Sequence, residues 1–128
     1  MGSFLDTLLV AAAGQIRASP VVTAGQSVLA LPGQLVLCDP TGGVLSVSAP
    51  PGPQPNTFFG VADVTAQSGT HAISVLSAGA SFTLESPASP GTYANTVTIA
   101  SASRVRLWLY VSAVAGGVPG WKLIYGVF

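Results

Sequence analysis

The sequence predicts an all-β fold: a compact antiparallel β-sandwich of jelly-roll type, preceded by a short N-terminal arm. Three observations carry this. Short apolar stretches recur at roughly 8–12-residue spacing between turn signals. Fifteen glycines and ten prolines in 128 residues supply those signals. Residues 104–111 alternate strictly, with Val105, Leu107, Leu109 and Val111 on one face and Arg104, Arg106, Trp108 and Tyr110 on the other.

The chain divides into an arm over residues 1–32 and a sandwich domain over residues 33–128. Within the arm, residues 3–16 carry Phe4, Leu5, Leu8, Leu9 and Ile16 at helical spacing, with Ala11, Ala12 and Ala13 as strong helix formers. Ser3 can cap this helix, Asp6 suits its first turn, and Gly14 suits its end. A helix this short is marginal alone, so it must dock on its own domain, a sister subunit or a larger shell. Residues 17–34 are linker-like, with Val21, Val22 and residues 28–31 as short extended pieces. Ala-Gly-Gln occurs at 13–15 and 24–26, and Pro-Gly-Gln at 32–34; their unequal spacing does not make a structural repeat.

The domain then runs strand by strand. Residues 35–39 form a strand, and Asp39-Pro40-Thr41-Gly42-Gly43 turns the chain, with Pro fixing φ and Gly free to take positive φ. Residues 44–48 follow. Residues 50–56 are a loop whose prolines cannot join a ladder. Strands are expected at 58–64, 71–76, 81–84 and 96–99, with a Pro/Ser/Gly loop at 86–95. Residues 104–111 and 121–127 form a closing antiparallel hairpin around Gly116-Gly117-Val118-Pro119-Gly120.

Composition narrows the function. Only 6% of residues are charged, and four acids balance four bases, against an average of about 25% charged. Nucleic-acid binders need a basic surface, and a polybasic membrane-surface binder needs the same; neither fits. Residues 18–38 are free of charge and long enough to cross a bilayer, but Pro20, Pro32, Gly and polar residues interrupt them. Residues 4–13 are as apolar as a signal peptide, yet no Lys or Arg precedes them and Asp6 stands where positive charge belongs. A soluble monomer usually carries more charge and a net charge away from zero. Much of this surface is therefore expected to face other protein.

Chemistry-bearing constellations are missing from the sequence. The single cysteine, Cys38, leaves no internal disulfide and no cysteine-based metal site. The single histidine, His71, aligns with Ile73 and Val75 as a sheet residue. Neither a Gly-x-Ser-x-Gly elbow nor a phosphate-binding glycine loop occurs. Asp39 and Asp63 lie on separate strands, far from a ligand set. No enzyme and no cofactor are expected. Arg104, Arg106, Trp108 and Tyr110 share one face, and Arg, Trp and Tyr are enriched where subunits meet. They are the expected subunit interface. Residues 1–64 hold three acids and one base, and the rest one acid and three bases, which suits a head-to-tail or arm-exchange contact.

Several segments together resemble a β-module of tailed-bacteriophage virion proteins: Leu35-Val36-Leu37-Cys38-Asp39, Thr41-Gly42-Gly43, Ala49-Pro50, Phe59-Gly60-Val61-Ala62-Asp63, His71-Ala72-Ile73-Ser74-Val75 and Trp121-Lys122-Leu123-Ile124-Tyr125. The resemblance covers residues 33–128. That module recurs in tail fibres, spikes and head-decoration proteins. The chain departs from it in the proline content of residues 50–55 and in having no shaft or collagen-like stalk, which favours decoration over a fibre tip. The resemblance implies a non-enzymatic capsid decoration (cement) protein on the virion exterior. It implies a homotrimer bound to the major capsid protein, with no nucleic-acid or membrane partner. Phe4, Leu5, Leu8, Leu9 and Ile16 would then meet the capsid or a sister subunit. The alternative it implies is a tail-fibre, spike or receptor-binding module, with Trp108, Tyr110 and loop 86–95 recognising a host surface glycan.

Overall fold

The computed structural model describes residues 17–77, 82–100, 105–114 and 117–126, with side chains up to Ile124. The expected helix over 3–16 lies outside the described residues, as do Phe4, Leu5, Leu8, Leu9, Ile16 and Arg104. Within them the chain is all-β. The strands are β1 (Arg17–Ala18), β2 (Val22–Thr23), β3 (Ser27–Leu29), β4 (Gln34–Asp39), β5 (Leu45–Ser48), β6 (Phe58–Asp63), β7 (Ile73–Leu76), β8 (Thr83–Glu85), β9 (Tyr93–Ala94), β10 (Thr96–Ile99), β11 (Val105–Val111) and β12 (Gly120–Gly126).

They form two sheets in a sandwich-like arrangement. The large sheet runs β1-β4-β6-β11-β12-β8-β9, with β2 also on β4; the small one runs β10-β7-β5-β3. One core lies between them. Val36, Cys38, Phe59, Val61, Trp108 and Trp121 face it from the large sheet, and Leu45, Val47, Ile73, Val75, Val97 and Ile99 from the small one. Residues 17–32, the second half of the expected arm, are built into these sheets: β1 and β2 pair with β4, β3 pairs with β5, and Ala30 is fully buried.

The sheets are mixed, which corrects the expectation of antiparallel pairing. Pairings β1–β4, β2–β4, β4–β6, β3–β5, β5–β7 and β8–β12 are parallel. Among the described residues, the antiparallel pairing a jelly roll requires is confined to β6–β11, β11–β12, β7–β10 and β8–β9. The cause lies in the turns. From β2 to β7 every connection crosses to the other sheet, so strands two apart in sequence become neighbours running the same way. The result is three stacked arches: β1/β2 with β3, β4 with β5, and β6 with β7.

Local chemistry explains the crossings. Thr23-Ala24-Gly25-Gln26 and Leu31-Pro32-Gly33-Gln34 fold alike. In each, the Gln N–H donates to the carbonyl of the first residue (3.2 and 3.0 Å). The Gln Oε1 accepts that residue's own N–H (2.8 and 3.0 Å). The third position has φ of +81° and +75°, which glycine adopts without steric cost. The lower corners are closed by a second device. Asp39 Oδ1 accepts from Thr41 N–H at 3.0 Å, and Asp63 Oδ1 from Thr65 N–H at 3.3 Å, so both Asp-x-Thr stretches form Asx turns. Thr65 Oγ1 donates to Asp39 Oδ1 at 3.1 Å, tying the second corner to the third.

Candidate functional site

The strand with the cleanest alternation, β11, is legible as a strand but is turned the other way from the expectation. Arg106, Trp108 and Tyr110 point into the sandwich and are 2%, 0% and 7% exposed. They do not form a surface, which corrects their expected place at a subunit interface. Arg104 lies outside the described residues. The reason is volume: Trp108 and Tyr110 fill the space that the small β-branched side chains of the facing sheet leave. Phe59 stacks on Trp108 (centroids 5.3 Å, 12°), and Trp121 meets Phe59 edge-on (4.9 Å, 89°) and Tyr110 at 65° (5.4 Å). Such pairs add about 0.5–1.5 kcal/mol each beyond burial. Trp108 Nε1 donates to the Glu85 carbonyl at 3.0 Å, so its polar handle is satisfied.

Arg106 follows Trp108 inward by the period of two. Burial holds its guanidinium below the usual arginine range. It sits at the wall of an open cleft of about 450 Å³ lined also by Pro87, Ala88, Pro90, Thr98 and Ile99.

The face that does look outward is aliphatic. Register places Leu35, Gly60 and Leu107 side by side across β4, β6 and β11, and Leu37, Ala62 and Val105 in the next row. Phe58 and Leu109 make a third row that ends at Lys122 on β12. Leu35, Leu37, Phe58, Val105 and Leu109 are partly exposed. A Cβ on Gly60 would meet the Leu107 side chain, and it would come within 2.8 Å of Leu35 Cδ1, so the two leucines close over this glycine. The β4–β6–β11 part of the large sheet is therefore apolar on both faces. A sheet that meets water on one side normally alternates apolar with polar. This outer face is the candidate functional site; sequence reasoning misses it because the two arginines draw the Arg104/Arg106/Trp108/Tyr110 face outward. The signal for it was present in the sequence as Val105, Leu107, Leu109 and Val111.

Polar groups frame this sheet and hold its loops. Glu85, 6% exposed, accepts from Leu123 N–H (2.9 Å) and Gly91 N–H (2.8 Å), and Lys122 Nζ lies 3.8 Å away. Burial, then the Glu85 charge, pushes the Tyr93 hydroxyl above its ordinary value. Asp63, 2% exposed, accepts from the N–H groups of Thr65, Gln67 and Ser68 and pins the turn to β7. His71 sits in that turn, its N–H donating to Gln67 O at 3.0 Å, rather than on the strand. Cys38 is buried, and burial followed by the Asp63 charge pushes its thiol up to about 12. Thiolate chemistry needs the opposite environment. Among the described residues no group of three or more His, Cys, Asp or Glu is placed to hold a metal ion.

Comparison with known proteins finds no family model that matches the chain, and no curated protein matches it in sequence.

Proposed function

We propose that this chain is a non-enzymatic structural protein that assembles with copies of itself through the outer face of its large sheet. The particular role that best suits it is a bacteriophage capsid decoration protein, a homotrimer seated on the major capsid protein at the virion exterior. The observation that carries the reading is the aliphatic outer face of β4, β6 and β11 on a chain with only 6% charged residues. On this face Leu35, Leu37, Phe58, Val105 and Leu109 are partly exposed around buried Gly60, Ala62 and Leu107, and an apolar outer sheet face suits a contact with other protein. Burying one Leu or Phe contributes about 1.5–3 kcal/mol, and three copies on one shell multiply weak contacts into firm attachment. The phage assignment rests on the resemblance of residues 33–128 to virion β-modules. Mass spectrometry of purified virions from the source organism tests it. Peptides of this chain in near-stoichiometric ratio to the major shell protein support the role; their absence from virions counts against it.

A second reading has its own observation. The cleft between loop 86–92, β10 and Arg106 is large enough for a small ligand, which favours a receptor-binding module. Trp108 and Tyr110 are buried away from such a ligand, so recognition would fall to the cleft rather than to an aromatic platform. Glycan-array binding by the purified protein, lost on Arg106→Gln, would select this reading over decoration.

A further inference from the structure

Loop 86–92, β10 and β11 meet at the cleft of about 450 Å³, a size within the about 300–1,000 Å³ of small-ligand pockets. Pro87, Ala88 and Pro90 line it from the loop, Thr98 and Ile99 from β10, and Arg106 from β11. The loop is a fixed wall. Glu85 Oε2 accepts from Gly91 N–H at 2.8 Å. Ser86 N–H donates to Thr92 O at 2.8 Å, and Thr92 N–H to Ser89 O at 3.0 Å. Glu85 Oε1 accepts from Leu123 N–H at 2.9 Å, which ties the base of the loop to β12. A wall held in this way is already ordered before a ligand enters, so binding bears little of that cost.

The lining has a defined chemistry. Pro87, Ala88, Pro90 and Ile99 are apolar, and Arg106 is the one ionisable group among the described residues that line the cleft. Arg106 is buried, so its charge acts where water screens it weakly. Burial disfavours its charged form, and an anion placed beside it offsets that cost. The planar guanidinium matches a carboxylate through paired hydrogen bonds. Neutral polar groups come from β10. Asn95 O accepts from Ser77 N–H at 2.7 Å, and Thr98 stands opposite Ser74 in the same antiparallel ladder. Bonded and non-bonded pairs alternate along such a ladder, so Thr98 turns its N–H and C=O away from β7. A donor and an acceptor together suit hydroxyl groups, which do both. A ligand that answers all of these features carries a carboxylate, hydroxyls and an apolar C–H face.

We infer that the cleft is the binding site for an acidic sugar of the uronic acid class, its carboxylate against Arg106 and its hydroxyls toward Thr98. The inference rests on the second, receptor-binding reading and names its ligand class. A neutral sugar would gain nothing from the arginine's charge. A bare carboxylate would gain nothing from Thr98 and the apolar wall.

Nitrogen-15 NMR titrations of the full-length chain with D-glucuronate, D-glucose and acetate test it. Glucuronate is expected to shift the amides of Ala88, Thr98, Ile99 and Arg106 and to leave Leu37 on the outer face unmoved. It should bind at least about tenfold tighter than glucose or acetate. Ala88 is exposed, so Ala88→Glu sets a negative charge on the cleft wall without entering the core. That variant should weaken glucuronate at least about tenfold and leave glucose unchanged. Arg106→Lys keeps the charge, loses the planar fork and should weaken glucuronate as well; where it does not fold, Ala88→Glu and the unsubstituted chain decide. Glucose as tight as glucuronate would overturn the acidic class and leave the receptor-binding reading standing. Acetate as tight as glucuronate would overturn the sugar. Cleft amides silent toward all three would overturn the inference alone if the chain still binds a glycan array, and the receptor-binding reading with it if the array is silent too.

Discussion

The two faces of the β4–β6–β11 part of the large sheet are both apolar, yet they are built from different residues for different purposes. The inner face uses Phe59, Trp108, Tyr110 and Trp121, rings that fill volume and lock together at 4.9–5.4 Å. The outer face uses Leu35, Leu37, Val105, Leu107 and Leu109, which lie in rows without interlocking rings and are partly exposed except for Leu107. The contrast teaches that hydrophobicity alone does not tell core from interface. Shape and the presence of a facing sheet do. The small sheet faces the rings; in the described structure no second sheet faces the leucines.

The comparison can be broken at several points. Trp108→Ala removes a fully buried ring and its hydrogen bond to Glu85 O. It is expected to cost about 3–5 kcal/mol, read as a lower urea midpoint. Asp63→Ala removes the acceptor of three turn N–H groups, of which that of Ser68 is buried. It should cost about 1–3 kcal/mol, with exchange accelerating at Thr65, Gln67 and Ser68 in a protein that stays folded. The outer face should behave otherwise. Leu37→Ser with Leu109→Ser is expected to change unfolding of the isolated chain by less than about 1 kcal/mol while removing self-association in sedimentation. A large loss of stability would make that face part of the fold rather than an interface.

A separate test of the inner face uses pH. In the folded chain burial, then the Asp63 charge, pushes the Cys38 thiol up to about 12 from an ordinary 9.0. A raised folded value means the stabilising contribution is complete below about pH 9 and fades as pH climbs toward 12. Alkaline denaturation should therefore steepen in this window, and Cys38→Ala should flatten it. Thiol reagents at neutral pH should label Cys38 only after unfolding.

Much of the strand content was legible, because period-two alternation survives in β10 and β11 and because Gly and Pro mark the turns. The facing of β11 was not. Arg104 and Arg106 draw the reading of their face outward, whereas the two rings beside Arg106 need more space than any surface position gives. The parallel arches were hidden for another reason. Ala-Gly-Gln and Pro-Gly-Gln state that the chain turns, but not whether it returns in its own sheet or crosses to the other. That choice is made by Gln26 and Gln34 reaching back to Thr23 and Leu31. The outer leucine rows became visible only through register, since Leu35, Gly60 and Leu107 come from strands far apart in sequence.

Sedimentation equilibrium of the purified full-length chain across a wide concentration range is the most direct trial. A mass of three chains that collapses to one on Leu37→Ser with Leu109→Ser is what a buried outer face requires. A single-chain mass at every concentration, with both serine substitutions silent, would contradict it.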